Sequence, residues 1–191
     1  MVPKTKRRSR DLIQAYEGRP DGARSPREEA VYDFLDLLAV SYRRADHPAA
    51  ETMEACAEID EALGVRMCKN LFLCNRQKTD FYLLLMPGDK PFRTKELSGQ
   101  LGVARLSFGS AEDMEAKLGL LPGSVSVMGL INDTECAVRL LIDRDLLADA
   151  EIGCHPCINT SSLAFSMRDL LEKVLPATKH SFTAVELSRA E

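Results

Sequence analysis

The chain has 191 residues, 45% hydrophobic and 28% charged, a composition that excludes a disordered or fibrous protein and suits one globular domain with a short extension. Its longest apolar runs are far shorter than the roughly 20 residues of a membrane-spanning helix, so we expect no membrane partner. The first ten residues carry five basic side chains, and the rest of the chain has 20 basic and 29 acidic residues. A body this acidic excludes a broad nucleic-acid-binding surface, so any RNA must bind to a local basic rim.

The N-terminal segment, residues 1–25, is polar and contains Gly18, Pro20, Gly22 and several arginines. We predict a flexible basic extension there and a single domain over residues 26–191. No apolar stretch of signal-peptide length follows the basic residues, so we expect a cytoplasmic protein. The six cysteines lie mostly within apolar runs, which indicates reduced thiols rather than a disulfide framework.

A helix, a strand and a second helix are the first predicted elements. Apolar residues recur at helical spacing over residues 27–40, with Ser25 as the cap and Pro26 in the first turn. Residues 42–47 are typical of a short strand that Pro48 ends. The helix that follows is predicted to end at Gly64.

Two apolar runs, residues 65–75 and 80–87, flank a short polar segment and predict a hairpin at the centre of a sheet. Residues 95–101 and 110–118 are typical of short helices, which Gly102 and Gly119 close.

The C-terminal part alternates irregularly between extended and helical patterns. Residues 120–132 predict a tight loop that leads into a strand at 125–127, and residues 136–142 predict the next strand. Further extended segments lie within residues 151–166, and a last helix over 166–175 is predicted to stop at Pro176. The pattern predicts an α/β fold (mixed α+β) with a central mixed, mostly antiparallel sheet flanked by helices.

Lys69 lies within the apolar hairpin strand, where alternation places it on the same face as Leu71 and Leu73. Burying an ammonium group is costly unless it meets an acceptor or an anionic ligand. From the residues alone, a functional lysine and a lysine whose stem merely lies along apolar surface remain equally open.

Two irregular segments add further chemical groups. Glycines in residues 119–124 permit the backbone to approach a ligand with its amides free, and such amides can hold a carbonyl oxygen as it becomes an oxyanion; a purely structural turn is the alternative. Residues 153–160 combine His155 with an amide and hydroxyls. A histidine in such a position is either a hydrogen-bonded structural residue or an acid, base or positioning group.

Eight short motifs occur in order along the chain. They are HP at 47–48, TM at 52–53, KNLFL at 69–73, LLLMPGDK at 83–90, RLSF at 105–108, PGSV at 122–125, GLIND at 129–133 and GCHPCINT at 153–160. This ordered set resembles the prolyl-tRNA editing (YbaK/ProX-type) family of stand-alone aminoacyl-tRNA deacylases, and the resemblance covers about residues 26–187.

The resemblance implies a trans-editing enzyme that cleaves the ester between a wrong amino acid and its tRNA, typically alanine on the proline tRNA. It implies that Lys69 contacts the substrate near the ester and the terminal adenosine, that Gly123 and its loop orient the aminoacyl group, and that His155 lines the pocket. Water, assisted by the free ribose hydroxyl, is then the nucleophile. The expected partners are the acceptor end of tRNA and prolyl-tRNA synthetase, with no metal or cofactor.

Other residues are expected to bind the substrate, and residues 48–63 and Met128 to form the pocket walls that exclude larger amino acids. The expected substrate-binding residues are Asn70, Gly119, Pro122, Ser124, Met128, Gly129 and Asn159. Cys154, Cys157 and Val127 depart from the family pattern, which leaves the preferred amino acid open. Ser124 and Ser126 lie outside a nucleophile elbow and are not expected to attack the ester.

Three alternatives accompany this interpretation. The chain can be a non-catalytic module that binds aminoacyl-tRNA or a synthetase. Cys154 and Cys157 also form a CxxC motif typical of a thiol-disulfide oxidoreductase, although a helix does not follow it as that activity requires. The same pair can hold zinc, but no second pair of ligands at suitable spacing accompanies it.

Overall fold

The computed structural model describes residues 13–49 and 53–189, with only the backbone given for residues 53–55. The first twelve residues of the predicted extension and Thr52 therefore lie outside the described residues. Within the described ranges, no helix is long and apolar enough to cross a membrane.

The chain alternates strands and short helices. The strands are β1 (Ala15–Glu17), β2 (Tyr42–Asp46), β3 (Cys68–Cys74), β4 (Phe81–Pro87), β5 (Ser107–Phe108), β6 (Val138–Asp143), β7 (Glu151–Cys154), β8 (Ser161–Ser166) and β9 (Phe182–Val185). The α-helices are α1 (Pro26–Leu37), α2 (Met53–Leu63), α3 (Thr94–Leu101), α4 (Ala111–Leu118), α5 (Arg144–Leu147), α6 (Met167–Asp169) and α7 (Leu175–Ala177). A 3₁₀ helix spans Val127–Ile131 and a π-helical turn spans Leu170–Val174.

The strands form two sheets. The four-stranded sheet has the order β1-β2-β8-β7 and is antiparallel throughout. The five-stranded sheet has the order β5-β3-β4-β6-β9, in which β4, β6 and β9 run parallel and the remaining pairs are antiparallel. A single bridge between Met67 and Gly153 connects the start of β3 to β7, and so joins the two sheets at their edges.

Three apolar clusters of described residues pack against the faces of the two sheets. The largest lies between the two sheets and includes α1, α4 and the inward faces of β4, β6 and β8. A second cluster lies between the outer face of the five-stranded sheet and α3. The third lies between the outer face of the four-stranded sheet and α2, where Ile59 and Leu63 cover Ala45 and Ala164.

Most of the predicted elements are confirmed, including the mixture of strands and helices. Ser25 caps α1 by accepting the Glu28 amide at 3.3 Å, and Gly102 ends α3 with a φ of 65°. The strands divide between two sheets rather than forming a single central one. β1 adds residues 15–17 of the predicted extension to β2 as an edge strand.

Two local predictions are wrong. The strand predicted at residues 125–127 is replaced by the 3₁₀ helix, because Ser126 accepts the Met128 amide at 3.1 Å and caps it. The last helical segment does not stop at Pro176 but continues one residue further, to Ala177.

Candidate functional site

The candidate site lies on the outer face of the four-stranded sheet, beside α2. Directly opposed residues of antiparallel strands share a face, and two such pairs define this one. The pairs are Ala45 with Ser162 and Gly153 with Ala164. Alternation then directs His47, two residues after Ala45, and His155, two residues after Gly153, to the same face. Two histidines and a serine therefore meet above a floor of small residues.

A hydrogen-bonded chain connects the two histidines through Ser162. His47 Nδ1 lies 2.8 Å from the Pro48 carbonyl oxygen, which can only accept, so Nδ1 carries the proton. His47 Nε2 then accepts the Ser162 hydroxyl at 2.9 Å. His155 Nδ1 donates to the Ser161 carbonyl at 2.9 Å, with Ser162 Oγ at 3.4 Å as a second, weaker acceptor. The backbone carbonyls thus fix the tautomer of both rings.

This arrangement leaves His155 Nε2 as an unprotonated acceptor, and it has no hydrogen-bond partner within the described part of the chain. Burial lowers the pKa of His155 below its ordinary value of 6.5; the nearby His47 lowers it further, and the bond to the Ser161 carbonyl opposes both effects. The two ring centroids are 6.3 Å apart. His155 is therefore a neutral imidazole at neutral pH and can accept a proton at Nε2.

The turn after α4 lies against the segment that carries His155. Gly123 is exposed with a φ of 83°, and the side-chain nitrogen of Asn159 is the nearest group to a Cβ built there, at 3.7 Å. Ser126, three residues on, donates its hydroxyl to the His155 carbonyl at 2.5 Å. The structure therefore brings together three of the predicted site residues, Gly123, His155 and Asn159.

Ser124 has a structural role within this turn. Its hydroxyl donates to the Leu121 carbonyl at 2.8 Å and accepts the Leu121 amide at 3.3 Å. Both bonds close the turn upon itself. Pro122 lies exposed at its tip, and the left-handed backbone of Gly123 completes it.

Lys69 lies on the outer side of β3, two residues after the bridge that joins the two sheets. Met67 bridges Gly153, and its sulfur would lie 2.9 Å from a Cβ built there, so Met67 covers the outer face of β7. Lys69, two residues further along, projects to the same side of β3. Its Nζ donates to the Lys90 carbonyl at 3.0 Å, the one hydrogen bond that it makes to the described residues. Two of its three ammonium donors therefore remain for a ligand.

The remaining predicted substrate-binding residues lie elsewhere. Asn70 points to the opposite side of β3, where its side-chain nitrogen bonds the Cys68 carbonyl at 3.2 Å and its buried Oδ1 has no partner among the described residues. Met128 is fully buried and lines a hollow between α1 and the 3₁₀ helix. Gly119 ends α4 with a φ of 64°, and Gly129 packs against Leu120. Expected substrate contacts by these four residues stay predictions.

The CxxC cysteines are poorly suited to thiol chemistry. Cys154 and Cys157 are both buried, and burial raises the pKa of both thiols, that of Cys157 to about 12. A redox-active cysteine needs the opposite shift, because the thiolate is its reactive form. Among the described residues, no three His, Cys, Asp or Glu side chains are grouped so that they could hold a metal ion.

His47 and Ser162 are the site residues that the sequence did not single out. His47 appears there only as part of a family motif, and Ser162 is one of several serines near His155. Strand alternation on β2 and β8 is the sequence signal that could have placed these two residues on one face. It would have been informative only with knowledge that these two strands pair, and they are more than 100 residues apart in the chain.

Residues 47–173 match the model of the aminoacyl-tRNA editing domain. The prolyl-tRNA editing protein ProX of Acetoanaerobium sticklandii is 31% identical over 160 residues, which cover 84% of this chain and 97% of that protein. Prolyl-tRNA synthetase associated domain-containing protein 1 of Danio rerio is 29% identical, with 90% of this chain and 94% of that protein covered.

A solved structure described as a candidate trans-editing enzyme for prolyl tRNA synthetase has the same fold. It superposes with a TM-score of 0.65 at 17% sequence identity, and the match covers 88% of this chain and all of that one.

Proposed function

The chain belongs to the aminoacyl-tRNA editing domain family, and we propose that it hydrolyses the ester that joins a wrongly attached amino acid to tRNA. The observation that carries this proposal is the neutral His155, whose Nε2 has no hydrogen-bond partner among the described residues, while Ser126 bonds the His155 carbonyl and so ties it to the segment after the turn at Gly123. An aminoacyl ester is already activated. Its hydrolysis needs positioning and stabilisation of the oxyanion more than it needs a strong nucleophile from the protein.

His155 is the proton acceptor in this proposal. Its Nε2 takes a proton from the attacking water, directly or through the free ribose hydroxyl of the terminal nucleotide. As the ester C–O bond breaks, this proton passes to the leaving ribose oxygen, and the free amino acid is released. A well-placed general base contributes roughly 10²–10⁴-fold to a rate. The bond from Nδ1 to the Ser161 carbonyl keeps Nε2 in the accepting form before the substrate arrives.

Lys69 and the turn at Gly123 hold the ester. The two free ammonium donors of Lys69 bind the oxygens of the ester and of the terminal nucleotide, where a positive charge opposes the charge that develops during attack. The backbone amide of Gly123, which has no hydrogen-bond partner among the described residues, orients the aminoacyl group. No residue of the chain forms a covalent intermediate in this scheme.

Alanine on the proline tRNA is the substrate that we propose. The ordered sequence motifs, which are similar to those of the prolyl-tRNA editing family, support this choice. The names of the ProX relative and of the Danio rerio relative point to prolyl-tRNA and its synthetase. Prolyl-tRNA synthetase is accordingly the proposed partner, with tRNA held by its acceptor end.

The test is deacylation of alanyl-tRNA(Pro) by the purified full chain, with prolyl-tRNA(Pro) and alanyl-tRNA(Ala) as comparison substrates. We expect the first to be hydrolysed fastest and Lys69→Ala to slow the reaction by about 100-fold, the effect of one lost oxyanion donor. Lys173→Ala is the matched control, because Lys173 also donates to a backbone carbonyl, that of Ala39 at 2.9 Å, and its ammonium pairs with Asp169 rather than with any candidate site residue. We expect it to retain the full rate.

Binding without hydrolysis would overturn the proposal. If the wild-type chain binds aminoacyl-tRNA but hydrolyses none of the three substrates, it is a non-catalytic binding module. Equal rates for Lys69→Ala and Lys173→Ala would remove Lys69 from the mechanism while leaving the activity established.

A further inference from the structure

A buried ion pair joins the turn after β4 to the end of β6, next to Lys69. Lys90 Nζ lies 2.9 Å from both side-chain oxygens of Asp143 and 3.2 Å from Asp145. The side chains of Lys90 and Asp143 are only 2% and 0% exposed. Lysine and aspartate are almost never so buried unless they are paired. The loss of hydration offsets much of the attraction within such a pair. Stabilisation of the fold is therefore a weak explanation for the presence of the pair.

Asp143 is held firmly on its own side. It caps α5 by accepting the Asp145 amide at 2.8 Å, and it accepts the Leu187 amide at 3.3 Å. The position of its carboxylate is therefore set by β6, α5 and the segment after β9. Lys90 is anchored to three separate parts of the fold through this one group.

The backbone of Lys90 contacts Lys69 directly. Its amide donates to the Pro87 carbonyl at 3.2 Å, and Pro87 pairs with Cys68 in the ladder between β3 and β4. Its carbonyl accepts Lys69 Nζ at 3.0 Å. The position of this carbonyl thus depends on the strand ladder at one end of the turn and on the buried ion pair at the other.

We propose that the Lys90–Asp143 pair is a positioning device for Lys69. It fixes the carbonyl that takes one ammonium donor of Lys69, so that the other two donors point toward the substrate. Lys90 itself does not touch the substrate. This inference rests on the proposed function, in which Lys69 holds the ester. Without the pair, the turn moves and the long side chain of Lys69 occupies several rotamers, only some of which are productive.

The test compares Lys90→Met with the pair variant Lys90→Met/Asp143→Asn, each made in the wild-type and in the Lys69→Ala background. The pair variant leaves no buried charge unpaired, and its asparagine still caps α5, so it is the variant expected to fold if Lys90→Met does not. We expect kcat for deacylation to fall about ten-fold with KM changed less than about two-fold. In the Lys69→Ala background, we expect less than about two-fold further loss, because residues that act through one another are not additive.

The matched control is Asp133→Asn. The buried Asp133 side chain lies 3.0 Å from His180 Nε2 and accepts the amide of Val138 at the opposite end of β6. Its replacement perturbs a buried, hydrogen-bonded carboxylate without reaching Lys69. We expect a lower Tm but an unchanged kcat in this control.

Three results would overturn the inference. They are an unchanged kcat in a folded pair variant, the same ten-fold loss in the presence and absence of Lys69, and an equal loss of kcat in Asp133→Asn. If the wild-type chain proves inactive, the proposed function fails, and a crystal structure of the pair variant decides the inference instead. Lys69 still bonded to the same carbonyl would refute the positioning role, and a displaced Lys69 would support it.

Discussion

Replacing His155 with glutamine removes the open acceptor of the candidate site, and this change gives the sharpest test of the chemistry. Glutamine can still donate its side-chain amide to the Ser161 carbonyl, now 2.9 Å from His155 Nδ1, but it cannot accept and hold a proton. General-base catalysis contributes roughly 10²–10⁴-fold, so the barrier is expected to rise by about 3–5 kcal/mol. Lys69 still binds the ester in this variant, and KM is expected to change little.

The pH dependence follows from the direction of the pKa shift. Burial lowers the pKa of His155 from its ordinary 6.5, so the accepting form is present at neutral pH and is lost as the pH falls through the lowered pKa. The rate, corrected for spontaneous ester hydrolysis, is expected to be at its plateau at neutral pH and to fall in acid, with a midpoint below 6.5. The same shift makes His155 favour the folded state above pH 6.5, a contribution that is lost in acid.

Deacylation of alanyl-tRNA(Pro) by wild type, His155→Gln and His180→Gln across this pH range is the assay. His180 is a second buried histidine, paired with Asp133 rather than with the site, and serves as the control. We expect the decrease in rate at acidic pH, the acidic limb of the profile, to disappear in His155→Gln and to persist in His180→Gln. A limb with the same midpoint in His155→Gln would show that another group titrates, and the assignment of His155 as the base would fail.

Two further predictions concern the turn and the thiols. Gly123→Ala places a side chain at a φ of 83°, which costs about 1–2 kcal/mol of strain. We expect slower deacylation with only a small decrease in Tm. An unaltered rate would show that the turn does not bind substrate. In thiol labelling of the native chain, the exposed Cys56 and Cys136 are expected to react quickly and the buried Cys154 and Cys157 only on unfolding, whereas rapid labelling of Cys154 would revive the redox interpretation.

Local signals in the sequence were enough to locate most of the elements. The cap at Ser25, the glycines that end α3 and α4, and the apolar runs of the β3–β4 hairpin all act within a few residues, so their effects can be read without the fold. For the segment at 125–127, the local signals predicted the wrong element. Its alternating valines are typical of a strand, but Ser126 takes part in two contacts that favour a 3₁₀ helix, and one of them is to the distant His155 carbonyl.

The candidate site was only partly visible in the sequence. His155 and Lys69 stood out because a histidine beside strands and a lysine in an apolar run each need a partner. The sequence did not reveal those partners, since Lys69 bonds a carbonyl 21 residues away and His155 is linked through Ser162 to His47, more than 100 residues away.

By itself the sequence determined a mixed α/β chain with an acidic body, reduced cysteines and a lysine and a histidine that require partners, because composition, periodicity and short motifs act locally. Only the tertiary structure decided how those residues meet. The pairing of β2 with β8 brings the two histidines together, the bridge between Met67 and Gly153 joins their sheet to the strand that carries Lys69, and the residue whose carbonyl Lys69 bonds is itself held by the buried Lys90–Asp143 pair. These are contacts between distant segments, which strand register and burial set and no local pattern encodes.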